Sequence, residues 1–347
     1  MSKRRATLAD VARSAGVSPS TASVVYSGKT AVSAATRQRV LDAAAALEYT
    51  GPDPRAASLR RGRSGIVAVV VGSTLNSLFV DPVQRLMMDG LAEAVGPLGA
   101  GLLLVRNPPG LESGPTLESS SIDAVVLIGC NATTRASLPL VQARGVPIVV
   151  VEGDAGEGIP RILLDNRAAQ RQAAEHLKGL GHTRVAIVAL RATAAGTRGW
   201  IARGDEIEVD VTRDRLAGAR DVFPDAAAFA TAFSSIDEGI AAGRVLFADP
   251  AVRPTAVIAQ SDLLAVGVIR AAEEAGLRVP VDVSVTGFDG VAVDGFAPDR
   301  LTTLEQAAAD KGRAAGAAVA AMLDGREPAS VLLTCTFRAG TTTAPAR

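Results

Sequence analysis

Residues 66–71, Ile-Val-Ala-Val-Val-Val, are apolar without a break, and comparable runs recur at 102–105, 124–128, 148–151, 185–189, 256–259 and 283–286. These runs constrain the fold more than any other feature. A strand with one wet face alternates apolar and polar residues, whereas a strand apolar throughout must be covered on both faces. Between the runs lie stretches with apolar residues at helical spacing, at about 82–96, 135–144, 167–180, 239–247, 261–275 and 307–323. Strands alternating with helices predict parallel sheets flanked by helices. With 347 residues the chain is long enough for two or three domains, each with its own core.

The first fifty residues follow another pattern. Thr7 caps a helix, and Asp10 answers it at the spacing of a capping box. Leu8, Val11, Ala12 and Ala15 form its apolar stripe, and Gly16 suits the left-handed residue that ends a helix. Ser18 then caps a second helix with Pro19 at its first position, where a missing N–H costs nothing. Ala22 and Val25 turn this helix toward the first, and its other face offers only short side chains. A small exposed helix held across another by a glycine turn is the shape that enters a DNA major groove. Ser33 caps a third helix predicted to run to about Leu47, with Val40, Leu41, Ala44 and Leu47 buried. Charge agrees with this reading. Lys+Arg and Asp+Glu balance over the whole chain, yet residues 1–64 hold eleven basic residues against four acids, a net +7, which leaves −7 on the rest. A basic head on an acidic body is a footprint for phosphate binding.

The spacings T-L-A-D-V-A-x-x-A-G-V-S-x-x-T-x-S at 7–23, V-S-x-x-T-R-x-R-V at 32–40 and A-x-x-L-x-Y at 44–49 resemble the DNA-binding head of the lactose-repressor/galactose-repressor (LacI/GalR) family of bacterial transcription regulators. The resemblance covers nearly the whole chain, through Asp81-Pro82, Leu164-Asp165-Asn166, Leu180-Gly181-His182, Arg215-Leu216-Ala217-Gly218, Ser261-Asp262, Gly287-Phe288-Asp289 and Leu301-Thr302-Thr303. It implies an N-terminal all-α helix-turn-helix head plus an α/β periplasmic-binding-protein-like core of two doubly wound subdomains. The implied organisation is a head at 1–48, a hinge helix or linker at 49–64, one core subdomain from 65–163 and 303–329, and another from 164–302 and 330–347.

For function, the resemblance implies a homodimer that binds double-stranded operator DNA under control of a small-molecule effector, a sugar in preference to a purine. The expected activity is repression of sugar uptake and catabolism genes, with no enzymatic role. Implied DNA contacts are Thr7, Ser18, Pro19, Ser20, Thr21, Ser23, Val24, Ser27 and Arg37 in the head, and Arg55, Ala56, Leu59 and Arg60 in the hinge. Leu59 would wedge into the minor groove, and a leucine between basic residues can kink the duplex while holding its phosphates. Pro19, Ser20 and Val24 would face the bases. None can make a bidentate bond to guanine, so specificity would rest on methyl contacts, one hydroxyl and DNA deformation.

The implied effector residues are Asp81, Val83, Gln84, Glu152, Arg215, Ser261, Phe288 and Asp289. Asp289 would accept paired donors and Arg215 would supply a fork of them. Residues 191–214 form a long insertion in which Arg198-Gly199-Trp200 imperfectly repeats the arginine motif, so Arg198 is the alternative to Arg215. Phe288 and Trp200 are candidates for an apolar face against a sugar ring.

Other classes lack their signatures. No glycine fingerprint for a dinucleotide follows the first strand, and no phosphate loop or zinc-protease motif occurs. The two histidines, His176 and His182, lack partners for catalysis, and His182 reads as structural. Cys130 and Cys335 match neither a disulfide framework nor a metal site, so no metal or cofactor is expected. The N-terminus Met-Ser-Lys-Arg-Arg leads into no apolar stretch, and no run reaches membrane length. The expected location is the bacterial cytoplasm, on the nucleoid when bound to DNA. An exported sugar-binding protein needs an export signal and no basic head, the reverse of this pattern.

Overall fold

The computed structural model describes residues 6–27, 31–51, 62–71, 75–106, 117, 119–129, 132–297 and 300–347. They fall into two compact units, Met1–Ser64 and Gly65–Arg347.

In the first unit, helices α1 (Leu8–Ser14), α2 (Pro19–Ser27) and α3 (Ala34–Ala46) pack around Val11, Ala12, Ala22, Val25, Val40 and Ala44. The capping box forms as its spacing predicts. The Thr7 N–H donates to Asp10 Oδ2 (3.0 Å) and the Asp10 N–H to Thr7 Oγ1 (3.3 Å). Gly16 takes φ +65° at the turn, and Ser18 Oγ accepts the Thr21 N–H (3.1 Å). The buried stripe of α3 differs from expectation. Val40, Ala43 and Ala44 face inward, while Leu41 and Leu47 stay exposed. Leu41 lies about 100° around the helix from Val40, off the stripe, and Leu47 has already reached the C-cap. Hinge candidates Arg55, Ala56, Leu59 and Arg60 lie outside the described residues.

The second unit contains two parallel sheets. The first joins β1 (Ile66–Val71), β2 (Gly101–Arg106), β3 (Ala124–Ile128), β4 (Ile148–Val151), β5 (Arg161–Leu164) and a late strand, Val331–Leu333, in the order late–β5–β4–β3–β1–β2. Helix Pro82–Val95 (α4) follows β1, and Ala132–Ala143 (α5) follows β3. The chain crosses to the second sheet through Asn166–Gly179 (α6) and continues as β6 (Val185–Ala189), β7 (Gly199–Ile201), α7 (Asp210–Arg220), β8 (Ala227–Ala230), α8 (Ile236–Phe247), β9 (Ala256–Ala259), α9 (Asp262–Glu274) and β10 (Ser284–Thr286). Its order is β10–β9–β6–β8–β7, parallel except for the antiparallel edge strand β7. The order doubles back beside β1 in one sheet and beside β6 in the other, as in doubly wound sheets whose crevices bind ligands.

The chain returns through β11 (Thr303–Gln306) to α10 (Ala308–Leu323) and the late strand β12 (Val331–Leu333), then leaves again as β13 (Cys335–Arg338), antiparallel to β11. The apolar stretch from Val331 to Phe337 thus divides between two strands. The first of them pairs with β5, so residues 331–333 lie in the first sheet, although 330–347 was expected in the second subdomain. The cause is register: Val331, Leu332 and Leu333 continue the apolar ladder beside Ile162, Leu163 and Leu164. The 191–214 insertion also carries structure, supplying β7 and the start of α7.

Candidate functional site

The C-terminal ends of both sheets meet at a cavity of about 180 Å³. From the first sheet's side come Asp81, Val83 and Gln84 at the start of α4, Glu152 after β4, and Lys311 from α10. Across from them stand Arg215 of α7, Ser234, Ser261 and Asp289, with Gln306 at the crossing. Seven of the eight expected effector residues therefore line one space.

Local structure explains their placement. Asp81 caps α4, its Oδ1 accepting N–H groups of Val83 (2.9 Å) and Gln84 (3.3 Å), with Pro82 at the first helical position. Burial nonetheless raises its carboxyl above the usual range, against those same bonds. Ser261 caps α9, accepting the Leu264 N–H, and its hydroxyl meets that of Ser234 (2.8 Å). Glu152 and Asp289 hold positive φ, 57° and 123°. Asp289 is fixed by its main chain, its N–H donating to Leu304 O (2.7 Å) while its carbonyl accepts from Gln306 (3.1 Å).

The charged side chains close into a ring. Lys311 Nζ donates to Glu152 Oε1 (3.0 Å) and Gln306 Oε1 (2.5 Å), and Gln306 Nε2 donates to Asp289 Oδ1 (2.5 Å). Asp289 Oδ1 lies 3.5 Å from Arg215 Nη1; Arg215 Nε donates to Asn166 Oδ1 (2.8 Å), and Asn166 Nδ2 to Glu152 Oε2 (2.8 Å). Arg215 Nη1 also bonds the Gln260 carbonyl (2.5 Å). Its Nη2 has no partner among the described residues and is available to a ligand. Burial pushes the Asp289 carboxyl up to about 8, with the Arg215 charge pulling the other way. Two buried cations and two carboxylates, with amides between them, alternate donors and acceptors around a small space.

Three expectations need correction. Phe288 does not line the cavity; it is fully buried, and the Arg215 guanidinium sits 3.5 Å above its ring centre. It orients the arginine by cation–π contact and is shielded from any ligand. Trp200 is on the edge strand β7, lining a different cavity. Arg198, the alternative to Arg215, does not line this cavity; it is doubly bonded to the buried Glu238 (2.5 Å at the closest). Burial alone would raise the Glu238 carboxyl, but Arg198 and the Ala232 N–H together hold it below its ordinary value.

Asn166, Gln306 and Lys311 were missed as site residues. Lys311 carried one faint signal, being one of four lysines among thirty-two arginines and set in an Ala/Gly-rich helix with no other base until Arg313.

The histidines hold the C-terminal segment. His182 Nδ1 meets Thr255 Oγ1 (3.0 Å), and its Nε2 contacts the Ala344 carbonyl (3.0 Å) and Ser284 Oγ (3.1 Å). His176 Nε2 lies 2.9 Å from Thr343 Oγ1. Among the described residues no group of three or more His, Cys, Asp or Glu is placed to hold a metal ion, and no helix is long and apolar enough to cross a membrane. Cys335 is a free thiol, raised by burial to about 12 and thus unreactive; Cys130 lies outside the described residues.

In the head, Ser18, Pro19 and Ser20 are exposed on α2, and Thr21, Ser23 and Val24 are half-buried beside them. The Ser18 hydroxyl meets those of Ser20 (2.7 Å) and Thr21 (2.8 Å), giving one cluster of hydroxyls at the helix start. Arg37 is exposed in the first turn of α3.

Known proteins share both units. Residues 7–51 match the bacterial regulatory proteins of the lacI family, and residues 174–343 match the periplasmic binding protein-like domain. The chain is 33% identical to the HTH-type transcriptional regulator IpsA of Corynebacterium glutamicum, covering 98% of each protein. A crystal structure of a LacI-family transcriptional regulator from Corynebacterium glutamicum matches with a TM-score of 0.69 at 27% identity, over 99% of this chain and 100% of that one. A transcriptional regulator CelR–cellobiose complex matches with a TM-score of 0.67 at 27% identity, over 97% and 100%.

Proposed function

The chain belongs to the LacI family of transcriptional regulators, and from that footing we propose that it represses genes of sugar uptake and catabolism, with a sugar in the interlobe cavity as effector. The observation that carries the sugar reading is the ring of Glu152, Lys311, Gln306, Asp289, Arg215 and Asn166 around the cavity. A sugar hydroxyl both donates and accepts, so a closed circuit of alternating donors and acceptors suits a polyol better than a purine, which needs a flat apolar slot. With about 180 Å³, the cavity admits one sugar ring deeply. The CelR relative that binds cellobiose supports the same class.

On DNA, Pro19, Ser20 and Val24 face the bases, Ser18, Thr21, Ser23 and Ser27 meet phosphates with Thr7 and Arg37, and the 49–64 segment with Arg55, Ala56, Leu59 and Arg60 forms the hinge. Two copies bind a palindrome in the cytoplasm. Exposed Phe79, Val80 and Leu86 near the start of α4 offer an apolar face for the partner copy. The two core subdomains divide at 163/164, 302/303 and 329/330, apart from the β12 residues, and the effector shifts one against the other.

A gel shift against DNA upstream of its own reading frame, with and without a panel of sugars, tests the reading. Specific retardation altered by one sugar is expected. Asp289→Ala should abolish the sugar response and leave DNA affinity within about twofold. No retardation even at low salt would sink the regulatory role, and an unchanged response in Asp289→Ala would move the effector out of this cavity.

A further inference from the structure

A separate cavity of about 650 Å³ opens at the opposite end of the second sheet. It lies below the N-terminal ends of β6, β8 and β9, where the turns at 181–184, 222–226 and 248–254 lead into those strands. Strand ends at this side are far from Arg215 and Asp289, which sit at the C-terminal ends. The size falls within the roughly 300–1,000 Å³ of small-molecule sites.

Its walls are apolar and open to water. Trp200 is 54% exposed although its ring packs edge-on to Phe229 at 5.4 Å; Val245 is 43% and Val252 73% exposed, and Phe223 backs them. Large apolar side chains grouped in a hollow mark a binding surface more often than a structural one. Two cations line the same space. Lys178 ends α6 and Arg184 precedes β6, both exposed, and neither forms an ion pair among the described residues. Of the nearby acids, Asp225 pairs with Arg203, while Asp249 caps the Ala251 N–H (2.8 Å) and keeps its charge. The third basic group, His182, is buried and spends both ring nitrogens on Thr255, Ser284 and Ala344. With Asp225 offset by Arg203, two cations face one carboxylate, and the hollow is net positive.

We propose that this cavity binds a small amphipathic anion, an organic acid with an aromatic or acyl body. The body lies against Trp200, Val245 and Val252, and the acid group pairs with Lys178 and Arg184. The hollow lacks the ring of buried amides and carboxylates found in the interlobe cavity, so a polyol does not fit it. Neither site depends on the other.

Trp200 is the only tryptophan in the chain, so its emission reports on this wall alone. The full-length protein is titrated with 1-anilinonaphthalene-8-sulfonate, an anionic aromatic probe, while tryptophan quenching and sensitised probe emission are followed. Saturable one-to-one quenching is expected. The Lys178→Glu/Arg184→Glu double variant changes only exposed groups and should weaken binding at least tenfold with an unaltered melting curve. Trp200→Phe should keep probe binding, read by direct excitation, and lose the sensitised emission. The uncharged N-phenyl-1-naphthylamine should bind at least tenfold more weakly than the sulfonate. Equal binding of the two probes, or unchanged affinity in the double variant, would overturn the anion class. Quenching that never saturates, or Trp200 emission that shifts with protein concentration and excludes the probe, would overturn the site itself, the latter by showing a second copy of the chain there.

Discussion

Glu152 and Asp289 sit in the left-handed region of backbone space, where a residue with a side chain costs roughly 1–3 kcal/mol unless its surroundings compel it. Both are held there by neighbouring strands, Glu152 through its N–H to Ile162 O (2.9 Å) and Asp289 through its N–H to Leu304 O (2.7 Å). Strain of this kind collects where geometry is used, and here it aims two carboxylates into one cavity. Asp289 also carries a pH signature. Its carboxyl is raised to about 8 by burial, so the folded chain keeps a proton that the unfolded chain releases near pH 4. That contribution is full below about pH 4 and is lost as pH rises through about 8. Asp289→Asn tolerates the same backbone and has no proton to release. Without sugar, the parent's melting temperature should fall more steeply than the variant's between about pH 6 and 9; parallel curves would mean that Asp289 is ionised throughout. That Glu152, Arg215 and Asp289 would share one space was legible through the family resemblance, carried by motifs that follow strands or keep fixed spacing. Lys311 and Gln306 were not, since their roles come from burial against partners 159 and 17 residues away, which no local pattern encodes. Phe288 was misread for the same reason: an aromatic beside a site residue looks alike in sequence whether it faces the ligand or lies under the arginine.

Elements were legible to the extent that they carried their own signal. The unbroken Val/Ile runs became the central strands at or within a residue of their expected ends. Strand β8, Ala-Ala-Phe-Ala, has low β-propensity and forms because β6 lies beside it in register, Val188 against Phe229. Helix α7 is dominated by polar residues and packs on α6, where Gly218 lets the two backbones approach: a Cβ there would lie 2.2 Å from Arg167 O. The pairing of α4 with α10 uses the same device, for a Cβ on Gly312 would stand 1.9 Å from Met87 O and one on Gly90 2.1 Å from Ala309 O. Those contacts are with backbone, so neither neighbour can swing aside. Gly312→Val should destabilise the core by at least about 1–3 kcal/mol, visible as a lower urea midpoint, and should misplace Lys311 next to it. A midpoint within error of the parent would mean that the helices part easily. The C-terminal segment depends on His182, whose burial lowers its basicity, so folding disfavours its protonated form. The unfolded chain takes up that proton near pH 6.5, and stability is therefore lost as pH falls below it. This sign is opposite to that of Asp289. His182→Gln, compared with the parent at about pH 7.5 and 5, should lose less melting temperature on acidification despite a lower starting value.

At the scale of the whole molecule, two units on one chain must exchange free energy if a sugar is to govern DNA. The head, Met1–Ser64, has its own core around Val11, Ala22 and Val40, and the candidate effector cavity lies entirely within Gly65–Arg347. No effector atom needs to touch DNA. Under the proposed function, differential affinity would link them: the sugar would bind one arrangement of the core better than another, and the operator would do the same. A ligand with equal affinity for both arrangements shifts nothing, however tightly it binds. The ring at the cavity could supply the difference, because Asn166 to Glu152 and Gln306 to Asp289 join the lobes, and a sugar inserted there would replace some of those bonds. Linkage then makes a demand independent of structural detail. Whatever factor the sugar imposes on operator affinity, the operator must impose on sugar affinity, with factors of about 5–150 usual for such couplings. Sugar titrations of the dimer with and without saturating operator should therefore give a ratio equal to that of operator titrations with and without sugar. The sign of the shift also decides between induction and corepression, since a sugar bound more weakly on DNA is an inducer. If operator binding changes with sugar while sugar binding ignores operator, the two ligands are not linked through this protein, and the response must come from a further component.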